Sequence, residues 1–126
     1  MTKIYLYRPV GLYELKLITD TGYAAFPPRL PEQPIFYPVL NFDYAEQIAQ
    51  NWNTKDDKSG YMGAVTRFEL PDDYLSQFDV QTVGGSMHRE LWVPAEELDN
   101  FNQHIIGKIE VVAAYYGQQF SSEKVW

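Results

Sequence analysis

Two charged side chains in this sequence have surroundings in which they could do chemistry. Glu90 follows a pair of adjacent glycines and the dipeptide His88-Arg89, and it stands just before the apolar run 91–93. A carboxylate at this place can stabilise a developing positive charge and accept a hydrogen bond from a ligand hydroxyl. Arg8 ends the first strand-like run, and its planar guanidinium suits bidentate contact with phosphate or ribose oxygens. The ordinary alternatives are a solvated strand residue for Glu90 and a surface salt bridge for Arg8.

Aromatic side chains form a second group of candidates. The chain has 10 Tyr, 7 Phe and 3 Trp residues, and the run 35–45 (IFYPVLNFDYA) holds Phe36, Tyr37 and Tyr44. Flat rings usually pack in a core, but they also stack on nucleobases and on nicotinamide. The run is therefore a candidate ligand-binding segment, with core packing as its alternative.

A proline-rich segment leads into this aromatic run. Prolines stand at positions 27, 28, 31, 34 and 38, which predicts an extended loop with few backbone hydrogen bonds. The segment is too apolar to be a free linker, so it either covers the core or lines a site. We expect residues 27–38 to be ordered and to border the binding cleft.

Several kinds of active site are excluded by the residues that the chain lacks. Cysteine is absent, which removes disulfides, thiolate metal sites and Cys nucleophiles. No dinucleotide or P-loop glycine motif and no HExxH motif is present. His88 and His104 are the only histidines and show no ligand spacing, so the sequence predicts surface or structural roles for them and no metal site. The serines lack the strand-to-helix elbow of a serine hydrolase.

The charge balance bears on partners and location. The chain has 10 Lys and Arg residues against 17 Asp and Glu residues, for a formal net charge of −7. An acidic surface repels phosphate backbones, which disfavours generic nucleic-acid binding. No stretch approaches the ~20 apolar residues of a membrane span, and residues 1–10 lack an apolar signal-peptide core. We therefore expect a cytoplasmic protein without a membrane association.

Periodicity predicts the elements that must position these side chains. Alternation predicts strands at 3–8, 61–70, 89–93 and 107–117, with the first strand closed at Pro9, and a short strand after a turn at 71–80. Helical spacing predicts helices at 11–22, 41–53 and 94–105, and in the second helix it puts Tyr44, Ile48 and Trp52 on one stripe. Because strands and helices do not alternate regularly, the order favours an α+β fold. We expect one domain over residues 1–117 and a polar tail over 118–126.

The segments YRPVGLYELKLI, FPPRLPEQPIFYPVLN and NWNTK, together with ELWVP before a helix and a last strand, resemble a known fold. The chain is similar over about residues 3–117 to the ADP-ribosyltransferase-like fold. More narrowly, it resembles short bacterial proteins that carry the description "ADP-ribosylation/crystallin J1". The resemblance implies a split β-sheet with two to three short helices around a cleft in which NAD binds.

The family's functional positions transfer to this chain one by one. A His or Arg on the first strand matches Arg8, and a Tyr or Ser on a middle strand matches Tyr37 best, with Phe36 and Tyr44 as neighbouring alternatives. The late-strand Glu matches Glu90. The resemblance thus implies a catalytic Glu90 and cofactor contacts by Arg8, Tyr37 and Tyr44.

Two departures from the family bear on activity. The middle strand lacks the usual Ser-Thr-Ser, and no Gln or Glu stands two residues before Glu90. These departures argue against modification of protein arginine. One hypothesis is an NAD-dependent mono-ADP-ribosyltransferase or NAD glycohydrolase. The alternative is a catalytically inactive nucleotide- or protein-binding module of the same fold, as in a regulatory or immunity-type partner, and a third reading is a plain interaction domain with no cleft.

Overall fold

The computed structural model describes residues 2–85 and 88–121, and within them it confirms an α+β fold. The strands are β1 (Lys3–Val10), β2 (Ile35–Phe36), β3 (Met62–Pro71), β4 (Asp79–Thr82), β5 (Arg89–Pro94) and β6 (Ile106–Tyr116). The helices are α1 (Leu12–Asp20), α2 (Phe42–Asn51), α3 (Asp72–Leu75) and α4 (Leu98–His104). Helix α3 is a single turn. Short 3-10 turns lie at Asn53–Lys55, Asp57–Ser59 and Ala95–Glu97.

The strands form two antiparallel sheets of three strands each. In the first sheet β3 lies between β1 and β6, and in the second β5 lies between β2 and β4. One face of β3 is buried along the length of the strand, at Met62, Ala64, Phe68 and Leu70. Alternating side chains on a strand point to opposite faces, so these four side chains pack together into the main core on one face of the first sheet.

Residue Val39 connects the two sheets. Its backbone N–H donates to the Tyr7 carbonyl oxygen at 2.7 Å, and its own carbonyl accepts from the Tyr7 N–H at 3.0 Å. The opposite edge of the same short segment bonds to β5, where Leu91 N–H donates to the Pro38 oxygen at 2.8 Å. Val39 therefore lies between β1 and β5 as a minimal strand, with a bridge to Tyr7 on one side and to Glu90 on the other.

Helix α2 packs on the face of the first sheet that is opposite the main core. Asn41 caps it, because its side-chain oxygen accepts from the Tyr44 N–H at 2.7 Å. Its buried residues Ala45 and Ala49 pack with Val65 of β3. The approach is close at Gly63, where an added Cβ would lie 2.5 Å from the Ala49 carbonyl oxygen.

The main core is built around aromatic rings. Phe26 contacts Phe36 and Phe68 with ring centroids 5.1 and 4.8 Å apart, and Phe101 of α4 contacts Phe36 at 5.5 Å. Three of these residues come from segments that are distant in the chain, so the ring cluster joins the proline-rich segment, β3 and α4. Burial of such rings is a large source of stabilisation in a chain of this size.

The structure corrects three of the sequence predictions. Strand β1 continues through Pro9 to Val10, because the N–H of Tyr7, two residues earlier, points away from β3 and toward Val39. The nitrogen of Pro9 faces this same edge, so the ladder with β3 needs no N–H from Pro9. Trp52 does not continue the buried stripe of Tyr44 and Ile48, since its side chain is 59% exposed just beyond the end of α2. The last helix begins at Leu98 and not at Pro94, which is the final residue of β5.

Candidate functional site

A cavity of about 830 Å³ lies where β1, the Val39 segment and β5 meet. Its size is within the range of about 300–1,000 Å³ that small-molecule sites usually have. Six charged side chains line it, three of each sign: Arg8, Arg29, Lys58, Glu14, Asp56 and Glu90. Three aromatic side chains, Tyr37, Trp52 and Trp92, also line it. The cavity is therefore locally neutral although the whole chain is strongly acidic.

The residues that the sequence marked for chemistry meet at this cavity. Arg8, Tyr37 and Glu90 all line it, from β1, the proline-rich segment and β5. The structure separates the three aromatic alternatives, because Phe36 is a core residue with 1% exposure whereas Tyr37 is 36% exposed. Tyr44 is not among the lining residues and contacts Glu90 from behind.

The carboxylate of Glu90 is fixed by two hydrogen bonds. The Tyr44 hydroxyl donates to its Oε2 at 2.8 Å, and the Trp92 indole N–H donates to its Oε1 at 3.2 Å. Burial raises the pKa of Tyr44 to about 12, and the hydrogen bond and negative charge of Glu90 add to this rise. The Tyr44 hydroxyl therefore remains a hydrogen-bond donor to Glu90 at neutral pH.

Helix α2 and a histidine hold Tyr44 in place behind Glu90. Its ring stacks on the His88 ring, with centroids 4.6 Å apart and an angle of 21° between planes. The His88 ring in turn lies 3.0 Å, Nε2 to Oε1, from the Gln47 side chain on the same helix. His88, predicted to have a surface or structural role, packs against Tyr44 at the protein surface.

Arg8 makes a bidentate ion pair with Glu14. Its Nε donates to Glu14 Oε2 at 2.7 Å and its Nη2 to Oε1 at 2.9 Å. The Arg8 side chain is only 11% exposed and lies over the Phe36 ring, with Cζ 4.7 Å from the ring centroid. The pair is partly buried, so Arg8 differs from the surface salt bridge that was its ordinary alternative. The guanidinium edge opposite Nε has no carboxylate partner among the described residues.

Arg29, which the sequence reasoning did not single out, also borders the cavity. Its Nε is buried without a hydrogen-bond partner among the described residues, and its Cζ lies 5.9 Å from the centroid of the same Phe36 ring. Burial lowers the pKa of Arg29, and the nearby charge of Arg8 lowers it further. Gln33 lines the cavity as well. The proline-rich segment therefore borders the cavity, through Arg29, Gln33 and Tyr37.

A polar chain closes the end of the cavity beyond α2. Asn53 Nδ2 donates to Ser59 Oγ at 2.9 Å, and Ser59 Oγ donates to Asp56 Oδ2 at 2.7 Å. Asn53 is 4% exposed, and its Oδ1 has no hydrogen-bond partner in the described part of the chain. Asn53 and Ser59 lie in the two 3-10 turns and Asp56 lies between the turns, so this short segment forms one wall of the cavity.

Two rings lie at the mouth of the cavity. Tyr37 meets Trp92 edge to face, with centroids 5.8 Å apart and planes at 82°. Both side chains are partly exposed, at 36% and 38%, so ring faces remain open to a ligand. Trp92 lies at the mouth of the cavity and also donates a hydrogen bond to the Glu90 carboxylate, so it connects these two parts of the site.

Glu96 and Glu97 lie away from the cavity, in the 3-10 turn before α4. Glu97 accepts hydrogen bonds from the Tyr74 hydroxyl at 2.9 Å and from Asn100 Nδ2 at 3.0 Å. The Asn100 bond and then the Tyr74 bond lower the pKa of Glu97. His104, predicted to have a surface or structural role, stacks on the Tyr74 ring with centroids 3.8 Å apart.

Within residues 2–85 and 88–121, no cluster of three or more His, Asp or Glu side chains is arranged to hold a metal ion. In the same residues, no helix is both long enough and apolar enough to cross a membrane. No protein-family model, no curated protein and no solved structure matches this chain. The chemistry of the cavity therefore carries the functional proposal.

Sequence reasoning missed Glu14, Arg29 and Trp92. Glu14 lies six residues after Arg8, on the first turn of α1, and a strand-helix corner brings the two together. Trp92 lies two residues after Glu90 on the same face of β5, which the alternation of a strand could have shown. No local signal distinguishes Arg29, because its environment depends on the path of the whole proline-rich segment.

Proposed function

We propose that this cavity binds NAD or an ADP-ribose-like nucleotide, and that the protein is a mono-ADP-ribosyltransferase or NAD glycohydrolase of the ADP-ribosyltransferase-like fold. The observation that supports the proposal most is the meeting of Arg8, Tyr37 and Glu90 in one cavity between the halves of a split sheet. They come from three segments that are far apart in the chain. The absence of cysteine agrees with a cytoplasmic location.

Glu90 is the proposed catalytic residue. When the nicotinamide–ribose bond breaks, nicotinamide leaves with the bonding electrons and the ribose C1 becomes oxocarbenium-like. The Glu90 carboxylate stabilises this positive charge and accepts a hydrogen bond from a ribose hydroxyl. Water or an acceptor group then adds to C1 and releases a proton. Tyr44 and Trp92 keep the carboxylate in one orientation, so it need not reorganise during the reaction.

Arg8 and the aromatic rings position the nucleotide in this proposal. The open face of Tyr37 stacks on the nicotinamide ring, with Trp92 perpendicular to it. The free guanidinium edge of Arg8 contacts a ribose or pyrophosphate oxygen, while its other edge stays on Glu14. Tyr44 acts through Glu90 and so is a positioning residue.

The test is nicotinamide release from NAD by wild type and by the Glu90→Gln variant. Glutamine keeps the volume and one acceptor oxygen but removes the charge, and a positioned charge is typically worth ~10²–10³ in rate. Glu96→Gln is the matched control, since Glu96 is an exposed glutamate outside the cavity. Equal turnover in all three proteins, above a blank without protein, would exclude Glu90 as the catalytic residue.

A second candidate function is a catalytically inactive nucleotide- or protein-binding module. Two observations favour it: both Glu90 oxygens already accept protein hydrogen bonds, and one edge of Arg8 is taken by Glu14. Such a protein keeps the ligand but releases no nicotinamide. Thermal unfolding with and without NAD or ADP-ribose separates the two, since a ligand at a hundredfold excess over Kd stabilises by about 2.7 kcal/mol. Stabilisation without turnover supports the module, and unchanged melting at millimolar nucleotide leaves a protein partner as the ligand.

A further inference from the structure

The Arg29 guanidinium has unused donors beside the cavity. Its Nε is buried without a hydrogen-bond partner, and no ion pair of Arg29 occurs among the described residues. A buried charged donor without a partner is costly, because it has lost water and gained nothing in exchange. Such a group in a cavity wall points to a partner other than the residues that the structure describes.

The carboxylates that line the cavity are already engaged. Glu14 accepts both hydrogen bonds from Arg8, Asp56 accepts from Ser59, and Glu90 accepts from Tyr44 and Trp92. Near Arg29, the two guanidinium groups of Arg8 and Arg29 face the single carboxylate of Glu14. This corner of the cavity is therefore positive within a chain whose formal net charge is −7.

The guanidinium groups of Arg8 and Arg29 border the same cavity and contact the same apolar ring. Both lie over the ring of Phe36, at 4.7 Å for Arg8 and 5.9 Å for Arg29. Phe36 is 1% exposed and fixed in the core, so it provides a rigid base for both cations. Two guanidinium groups held in this way suit an anion with several oxygens, because each can donate more than one N–H.

We propose that Arg29, together with the free edge of Arg8, forms an oxyanion subsite of the cavity that takes a phosphoryl or carboxylate group of the ligand. The proposal rests on the proposed function in assigning the pyrophosphate of a nucleotide to this corner. The oxyanion chemistry itself follows from the unpartnered guanidinium and holds for any anionic ligand of suitable size. Arg29 thereby becomes the main anion-binding residue, with Arg8 shared between ligand and Glu14.

The test is isothermal titration of the full-length protein with sodium pyrophosphate and, separately, with sodium succinate. We expect wild type to bind at least one of these anions and Arg29→Gln to bind it at least tenfold more weakly. Lys16→Gln is the control, since it removes the same charge from an exposed position on α1 outside the cavity. Arg29→Lys keeps the charge but loses the planar fork, and we expect intermediate binding.

Thermal unfolding of the same variants separates a binding role from a structural one. If Arg29 awaits a ligand, Arg29→Gln removes a cation whose Nε is buried without a hydrogen-bond partner among the described residues, and it leaves the melting temperature of the free protein unchanged or raised. If Arg29 only supports the fold, the variant has a lower melting temperature. Its anion binding then decreases only in proportion to the loss of folded protein. The first result supports the subsite, and the second overturns it.

The anion results also distinguish this inference from the proposed function. Binding of pyrophosphate that depends on Arg29 supports both. Binding of succinate alone supports the subsite and contradicts a nucleotide as the ligand. Absence of binding to either anion, or equal binding by Arg29→Gln, overturns the subsite even if wild type releases nicotinamide from NAD.

Discussion

At the scale of single residues, the charged side chains of the site differ in whether other side chains of the protein bind them. Arg8 is paired with Glu14, and Glu90 is held by Tyr44 and Trp92, whereas Arg29 is left without a partner among the described residues. Residues of one chemical type thus have different roles because their neighbours differ. Whether a charged side chain already has a partner in the protein therefore indicates, better than its presence in the cavity does, whether it can bind a ligand.

The hydrogen bond between Tyr44 and Glu90 predicts a pH dependence of stability. The pKa of Tyr44 is raised from 10.0 to about 12 in the folded protein. Below pH 10 both states keep the phenol proton, and the contribution of Tyr44 is fully present. As the pH rises from 10 to about 12, the unfolded state loses the proton first and the contribution disappears. We expect wild type to lose stability more steeply in this window than Tyr44→Phe, as measured by urea unfolding at each pH.

Tyr13→Phe is the control for this experiment, because Tyr13 is an exposed tyrosine of α1. Its substitution should leave the slope of the wild-type curve unchanged. If Tyr44→Phe follows the wild-type curve as closely as Tyr13→Phe does, the phenol of Tyr44 does not have the raised pKa that its burial and its contact with Glu90 give it.

At the scale of elements, periodicity predicted the secondary structure of single segments better than the contacts between segments. The core face of β3 follows from a local alternation of apolar side chains, whereas the sequence offers both Asn41 and Asp43 as N-cap of α2 and the structure selects Asn41. The path of the proline-rich segment depends on the ring contacts of Phe26 and Phe36 with β3 and α4, which no local pattern contains. The position of Arg29 depends on that path, and this is why it could not be predicted.

The close packing of α2 on β3 predicts that Gly63→Ala is destabilising. The new Cβ would lie 2.5 Å from the Ala49 carbonyl oxygen and 2.8 Å from Asn53 Cβ, so the helix would have to move away from the sheet. Overpacking of this kind costs about 1–3 kcal/mol in the free energy of unfolding. Since α2 carries Tyr44, we also expect weaker ligand binding at temperatures where the variant is folded.

Gly85→Ala is the matched control, because its nearest contacts would be ordinary ones of 3.9 Å to the His88 ring. Chemical denaturation of both variants measures the difference. A Gly63→Ala protein as stable as Gly85→Ala would show that α2 can shift without cost, which would contradict a rigid seat for Tyr44.

At the scale of the whole molecule, the acidic surface and the neutral cavity have different electrostatic effects on large and small anions. The chain carries a formal charge of −7, while three cations and three anions line the cavity. A long polyanion meets the surface as a whole and is repelled. A small anion can reach the cavity and experience mainly its local charges.

We therefore expect no measurable binding of a labelled mixed-sequence DNA duplex of ~20 base pairs at protein concentrations of about 10 µM. Fluorescence anisotropy at about 50 mM salt is the measurement, because low salt favours any phosphate contact. Pyrophosphate titrated under the same conditions serves as the comparison for a small anion. Saturable binding of the duplex that weakens steeply with salt would contradict the distinction between surface and cavity.

The bridge at Val39 also has a consequence for the order in which the molecule assembles. Val39 joins Tyr7 near one end of the chain to Glu90 far along it, so both contacts require the closure of long loops. We expect such contacts to form after the folding transition state, when each sheet is already in place. A ligand held between Arg8 and Glu90 would then slow unfolding and leave the folding rate nearly unchanged. The lifetime of the native state, measured by stopped-flow unfolding, would increase with nucleotide concentration. The refolding rate would stay constant.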